Sequence, residues 1–467
     1  MFIKQLYTGC LSEAAYYIES EGEVAIIDPL RDIDEYITLA KKRNAGIKYI
    51  FETHFHADFV SGHLDLSKKT GAPIIYGPGA KTNFEVHNSK DGEIFKLGKI
   101  SFEVLHTPGH TLESSCYLLK DENDKPHALF TGDTLFVGDV GRPDLSSGNL
   151  SSEELAGIMY DTIQNKILPL ANDVIVYPAH GAGSSCGKIL GPNTFSTIAE
   201  EKQNNYALQP QSKEQFIKAV TDGLTEAPKY FAVNAKLNME GYDSIEKLKQ
   251  KGLTPLSINA FKKLMSEDVL VLDTRHADKF TEGFISGSIF IGLEGRFAEW
   301  AGALLPFDKQ MILVTEPGME EETVIRLSRV GFDKMMGFLQ GSFDAWKNGG
   351  EKVDMIINIE SGELAMDMPH DPNLVVVDVR RETEYADGHV KDAQNIPLNE
   401  MTDVSIIAGF EDNQNLYVHC AGGYRSIIAS SILKREGIHN LRNVLGGWAK
   451  IKEEKTITVE KDTSVLN

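Results

Sequence analysis

The chain predicts a mixed α/β protein. Its first half reads as sheets with helices packed outside them, and its second half as two copies of one smaller α/β domain. Three observations carry this. Short apolar runs separated by turns recur through the first half, as buried strands do. Longer helical stretches lie between some of them, which suits sheets covered by helices. In the second half, residues 269–291 (VLVLDTRHADKFTEGFISGSIFI) resemble residues 374–396 (LVVVDVRRETEYADGHVKDAQNI). The Asp-x-Arg elements Asp273/Arg275 and Asp378/Arg380 lie 105 positions apart, and so do GSFDAW (341–346) and GGWAKI (446–451).

Taken in order, strands are expected at AAYYIE, EVAIID, IKYIFE, PIIYG, ISFEVLH, SSCYLL, HALFTGD and DVIVYPAH. Helices are expected at IDEYITLAKKRN and SSEELAGIMYDTIQNKIL. The polar stretch around 205–215 and the segment KGLTPLS (251–257) read as linkers, with a further connection near 352–358. The domains are accordingly drawn at 1–252, 258–352 and 358–458.

With 467 residues, a prior of about 150 residues per domain gives the same count of three. A composition 42% hydrophobic and 25% charged is that of a globular protein with real cores. The net charge of −21 argues against nucleic acid and anionic membranes as partners, since both need basic patches. No apolar run approaches the roughly 20 residues of a membrane span. The first residues lack the charged start and apolar core of a signal peptide. Four cysteines, none spaced as C-x-x-C, make neither a disulfide framework nor a zinc ribbon. A reducing cytoplasm is the expected location.

The stretch THFHADF (53–59) follows an apolar strand and carries His54, His56 and Asp58. Three later strand ends add His106 and His110 (LHTPGHT), Asp133 (FTGDTLF) and His180 (YPAHGAG). Any one of these is more often a structural residue, but the joint pattern points to a metal. Phe59 stands where a site for two metals would want another ligand, and phenylalanine has no lone pair to give.

This order of motifs resembles the metallo-β-lactamase superfamily over about residues 1–250. The resemblance implies an αββα sandwich with the metal at one edge. Two-metal members such as glyoxalase II hydrolases use His-x-His-x-Asp-His, so a second position reduced to Asp58 and His180 is expected to be weak. The persulfide dioxygenase branch is more similar, also through VGDVGRPDLSSGN (137–149). It implies one Fe(II) per chain, held by His54, His110 and Asp133 with positions open for substrate and O2 as co-substrate. His56 is then expected beside the ligands rather than among them, and His56, Asp58 and His180 remain alternative metal residues. Arg142, Cys186 and Tyr177 are candidate substrate-binding residues, Arg142 to orient a substrate carboxylate or the GDT loop. Cys186, six residues after His180 in a Gly- and Ser-rich run, is expected near the iron. Cys10 and Cys116 read as structural.

In the last domain LYVH ends at Cys420, and Cys420-Ala-Gly-Gly-Tyr-Arg425 runs into a helix. Backbone N–H groups of such a loop point inward at an anion. The helix start and Arg425 are expected to favour thiolate. The loop resembles rhodanese, with Asp378, Arg380, Glu384 and VLGGW (444–448) in support. Four residues between cysteine and arginine leave a pocket too small for phosphate esters. Aligning MILVTEPGMEEET with NLYVHCAGGYRSI puts Glu316 opposite Cys420 and Glu321 opposite Arg425, so the first copy is expected to be inactive.

Together these resemblances imply a persulfide dioxygenase fused to a sulfurtransferase. Its expected partners are a low-molecular-weight thiol persulfide such as glutathione persulfide, and thiosulfate or sulfite. A homodimer or tetramer is expected. The alternative is a zinc thioester hydrolase of glyoxalase II type fused to a sulfurtransferase.

Overall fold

A computed structural model describes residues 1–462 except 146–149, 189, 225 and 412. The end of the VGDVGRPDLSSGN motif therefore lies outside the described residues. Two compact units divide the chain: Met1–Lys247 with Ile325–Asp333, and Leu248–Val324 with Lys334–Asn467.

Alternation of side chains along the strands builds the first unit. Strands Phe2–Thr8, Glu13–Ser20, Glu23–Ile27, Gly46–Phe51, Ile74–Tyr76 and His87–Asn88 form one sheet in chain order. Strands Ile94–Leu97, Ile100–His106, Ser115–Lys120, Pro126–Gly132, Ile175–Pro178 and Ser196–Thr197 form a second, also in chain order. Tyr16, Ile18, Ala25, Ile27 and Phe51 point inward and meet Phe102, Val104, Tyr117, Leu119 and Phe130 of the facing sheet. Their neighbours Ala15, Tyr17, Val24 and Ile26 point outward, under Ile33, Tyr36 and Ala40. Leu105, Cys116, Leu118 and Leu129 do the same on the other sheet, under Ala156, Met159 and Ile163. A period of two serves both faces, which is why these strands read as unbroken apolar runs. The result is the expected αββα sandwich, and each fully buried large apolar side chain stabilises it by about 1.5–3 kcal/mol.

Helix Ser152–Thr162 begins at a reciprocal cap: Glu154 N–H donates to Ser151 Oγ, and Ser151 N–H to Glu154 Oε2. Its last turn widens over Ile163–Ile167. Sequence reading missed the edge strand Phe2–Thr8, whose side chains are mostly half-buried. The stretch 205–215 is no linker. Ala207 and Leu208 are core residues of the outer helical layer, and Ser212 caps the helix Lys213–Thr221, which packs Phe216 and Val220 into that layer.

The second unit holds the repeat. Strands Pro255–Leu256, Met335–Leu339, Met311–Val314, Leu270–Asp273 and Ile289–Phe290 form a parallel sheet in that spatial order. Strands Ile357–Ile359, Leu441–Val444, Asn415–His419, Leu374–Asp378 and Gln394–Asn395 repeat it. Part of KGLTPLS and of 352–358 is therefore strand rather than linker. Among the described residues, no helix is long and apolar enough to cross a membrane.

The same clamp holds both copies. Arg275 Nε and Nη2 donate to Asp273, and Nη2 also to the Gly283 carbonyl, with the guanidinium 4.3 Å from the Phe343 ring centre. Arg380 makes the same bonds to Asp378 and to the Gly388 carbonyl, 4.6 Å from the Trp448 ring.

Candidate functional site

Strand ends bring the ligand-type residues of the first unit together. The Glu23–Ile27 strand stops at Asp28, whose backbone turns left-handed (φ 50°). Its carboxylate accepts from the Thr53 N–H (2.8 Å) and hydroxyl (2.9 Å). Having spent its only proton there, the Thr53 oxygen accepts from His54 Nδ1–H at 2.9 Å. His110 Nδ1 lies 2.8 Å from the Arg142 carbonyl, and His180 Nδ1 lies 3.3 Å from that of Ser12. A carbonyl only accepts, so both rings carry a proton on Nδ1, which leaves Nε2 as the atom either ring can offer a metal.

The Nε2 atoms converge on Asp133. Its Oδ2 lies 3.7 Å from His54 Nε2 and 3.5 Å from His110 Nε2, while its Oδ1 lies 3.5 Å from His180 Nε2. Neither oxygen of this buried carboxylate has a hydrogen-bond partner among the described residues. Burying a charge so would cost several kcal/mol without a compensating cation. Burial, then the neighbouring His56, His110 and His180, hold His54 well below the ordinary histidine range, so its ring is neutral as a ligand's must be. One ligand atom each from His54, His110 and Asp133 lie within 4.8 Å of one another. The donor set fits a divalent cation.

His56 belongs to a different environment. Its Nε2 sits 3.1 Å from Asp28 and 3.5 Å from Glu52. Burial opposes charge on this ring, but Asp28 and Glu52 outweigh it and raise its pKa well above the ordinary range. Phe59 is fully buried and stacks on His56 with ring centres 4.3 Å apart. His56 still groups with Asp58 and His180 within 4.8 Å. Asn238, from the helix Tyr230–Glu240, donates to the His56 and Phe59 carbonyls at 2.8 Å each and fixes this loop.

The expected substrate residues fare unevenly. Arg142 binds Asp144 through two 2.7 Å bonds and the Ser185 carbonyl, so its guanidinium braces two loops. Tyr177 stacks on Phe130 and packs against Tyr16 in the inter-sheet aromatic cluster, not against the ligands. The Cys186 sulfur lies within 4.8 Å of one carboxylate oxygen of Asp133 and one ring nitrogen of His180. His106 lies outside these groups, bonded to the Leu112 carbonyl. Cys116 is core, its thiol pushed by burial up to about 11. Asp28, Thr53 and Asn238 were missed. Asp28 directly after a buried strand was the available signal; Asn238 lies far along the chain and carried none.

In the second unit Cys420 ends the strand Asn415–His419 and starts the loop into helix Tyr424–Arg435. The Gly423 N–H donates to its sulfur at 3.1 Å, from a backbone at φ 108° that favours glycine. Arg425 is held by Glu384 through two 2.8 Å bonds. Cys420, Tyr424 and Arg425 line a cavity of about 650 Å³, together with Arg296 and Trp300 of the first copy.

Strand pairing corrects the alignment of the copies. Asp273 pairs with Val314 and Asp378 with His419, so Thr315 stands opposite Cys420, and Glu320 opposite Arg425. Glu316 instead binds Lys279 at 2.8 Å. The conclusion that this copy lacks a thiol is unchanged.

Residues 8–180 match the metallo-beta-lactamase superfamily, and residues 257–349 and 361–454 each match the rhodanese-like domain. A crystal structure of a metallo-beta-lactamase from Staphylococcus aureus is 34% identical, with a TM-score of 0.65, covering 73% of this chain and 98% of its own. The chain belongs to the metallo-β-lactamase superfamily. Among superfamily relatives, a probable hydroxyacylglutathione hydrolase of Schizosaccharomyces pombe is 32% identical over 38% of this chain. This chain spans 66% of that relative, just under two thirds. The human mitochondrial persulfide dioxygenase ETHE1 is 29% identical over 42% of this chain and 70% of its own length. This superfamily member thus carries two rhodanese-like domains behind its sandwich.

Proposed function

We propose that the first unit is a mononuclear Fe(II) persulfide dioxygenase and that Cys420 is the nucleophile of a coupled sulfurtransferase. One observation carries the first part. Two imidazoles and one carboxylate oxygen converge, while Phe59 fills the place of a further imidazole and His56 is drawn to Asp28 and Glu52. Two histidines and a carboxylate with open positions suit non-haem iron. When bound there, ferrous iron supplies the redox chemistry by which O2 reacts with sulfur. Thr53 and the Arg142 carbonyl fix the two ring tautomers, and the buried setting keeps His54 unprotonated. In the balanced reaction a thiol persulfide, one O2 and one water give the thiol, sulfite and two protons.

Cys420 attacks the outer sulfur of thiosulfate. The S–S bond breaks, sulfite leaves, and a persulfide remains on Cys420 beside the Gly423 N–H for transfer to a thiol. Thr315 offers only a hydroxyl, so the first copy serves as wall and scaffold. We place this chemistry in a reducing compartment, consistent with four free cysteines.

A second reading, a zinc thioester hydrolase, is favoured by the likeness to hydroxyacylglutathione hydrolases. Oxygen uptake with glutathione persulfide separates the two. Uptake with sulfite or thiosulfate formed by Fe(II)-loaded protein and not by Zn(II)-loaded protein is expected. No uptake, with glutathione thioester hydrolysis by the zinc form, would overturn the dioxygenase.

A further inference from the structure

We propose that the end of helix Glu320–Arg329, in the copy without a thiol, braces the metal loop of the first unit, with Arg329 and Asp32 as positioning residues. The proposal rests on the metal position at His54, His110 and Asp133, and not on the reaction that metal serves.

Residues Ile325–Asp333 lie inside the first rhodanese-like match, 257–349, yet they pack as part of the first unit. Two charge pairs hold them there. Arg329 Nε and Nη2 donate to the two oxygens of Asp32 at 2.7 Å each. The neighbouring Arg31, fully buried, donates to the Ser328 carbonyl at 2.7 Å and to Asp333 at 3.2 Å. The last carbonyls of a helix carry partial negative charge and lack partners within it, so a guanidinium suits that end. The order of signs sets the register, because exchanging partners would bring arginine to arginine and aspartate to aspartate.

One backbone bond carries this brace to the metal loop. The Arg329 carbonyl accepts from the Val60 N–H at 2.7 Å. Val60 is fully buried, where an N–H needs such a partner. It directly follows Phe59, whose ring backs His56 and whose carbonyl accepts from Asn238. The other side of the brace reaches the ligands as well. Arg31 and Asp32 close the turn that begins at Asp28, and Asp28 holds Thr53 and through it His54. In the same turn the Pro29 carbonyl accepts from the Gly62 N–H at 2.7 Å. The segment from Thr53 to Gly62 is thus held at its start by Asp28, and at its end by Pro29 and Arg329.

The second copy lacks this brace. At the 105-residue offset Lys434 matches Arg329, and it binds Asp354 at 2.8 Å within the second unit. The copy without a thiol therefore serves the chain's other chemistry, by shaping the loop that carries the first metal ligand.

Cobalt(II) reads this directly, because its visible absorption bands follow the geometry of its ligands. In anaerobic titrations of full-length protein, Arg329→Asp and Asp32→Arg should each bind cobalt about tenfold more weakly than the parent, with altered bands. The two reversals combined should return affinity and bands to near the parental values. Thiosulfate sulfurtransferase activity should stay near parental in all three. Single variants that bind cobalt as the parent does, a double reversal no better than either single, or sulfurtransferase activity that falls in parallel overturns the proposal. If the reversed-charge variants do not fold, parental cobalt affinity and bands in Asp32→Asn overturn it. A parent that takes up no cobalt overturns the metal position itself, and the brace with it.

Discussion

Phe59 lies face to face with His56, ring centres 4.3 Å apart and planes inclined by 30°. The phenylalanine is therefore more than a missing ligand. It occupies the space and backs the imidazole that meets Asp28 and Glu52. Phe59→His should lower the stability of metal-free protein by about 1–3 kcal/mol through lost apolar burial and stacking. Added zinc should restore part of it, because the new imidazole binds metal in the folded state only. Thermal unfolding with and without zinc checks this.

Thr53 orders His54 from outside the metal position, since its hydroxyl links the ring to Asp28. Thr53→Val keeps the shape and removes both bonds. Ferrous affinity should fall about 10–100-fold, the usual cost of losing a group that orients a ligand. Anaerobic iron titration measures it, and Thr53→Ser should recover most of the loss.

Arg425 holds the Glu384 carboxyl below the ordinary carboxylate range, against the opposing effect of partial burial. A depressed acid stabilises the fold above its unfolded value, about 4.3, and loses that contribution as pH falls through its folded value. Solvent at this half-buried pair screens the gain. Glu384→Gln should therefore unfold at lower temperature than the parent at pH 6–8, with the two converging below about pH 4. Melting curves across pH test it.

Gly447 sits at φ 52°, and a Cβ there would lie 2.2 Å from the Cys420 carbonyl oxygen. The first copy carries Ser342 at the matching position, bonded to the Thr315 carbonyl. In the second copy that carbonyl role belongs to Cys420, which accepts from the Trp448 N–H at 2.6 Å. Gly447→Ser should displace the loop and lower thiosulfate sulfurtransferase activity at least tenfold. Metal binding by the first unit should stay unchanged, which an assay of both functions on one preparation would show.

The clustered histidines and carboxylates were legible because each follows a buried strand, and strand ends in a sandwich are few. Their orientation was not. His54, His110 and His180 owe their tautomers to Thr53 and to carbonyls of Arg142 and Ser12, and a carbonyl leaves no mark on residue identity. The partners of Arg142 and Tyr177 were not legible either, because an arginine in a loop and a tyrosine on a strand carry no mark of Asp144 or Phe130. Placing Glu316 opposite Cys420 followed motif likeness across loops. The 105-residue offset of both flanks already pointed to Thr315. The stretch 205–215 looked like a linker because its buried residues, Asn205, Ala207 and Leu208, are few and its caps are polar.

The clamp of Asp378, Arg380 and the Gly388 carbonyl recurs bond for bond at Asp273, Arg275 and Gly283, in a copy without a thiol. What keeps each domain in shape is thus separate from what reacts in it. A change at the loop position after the central strand therefore leaves the clamp untouched, so a domain of this kind keeps its architecture with or without a thiol there.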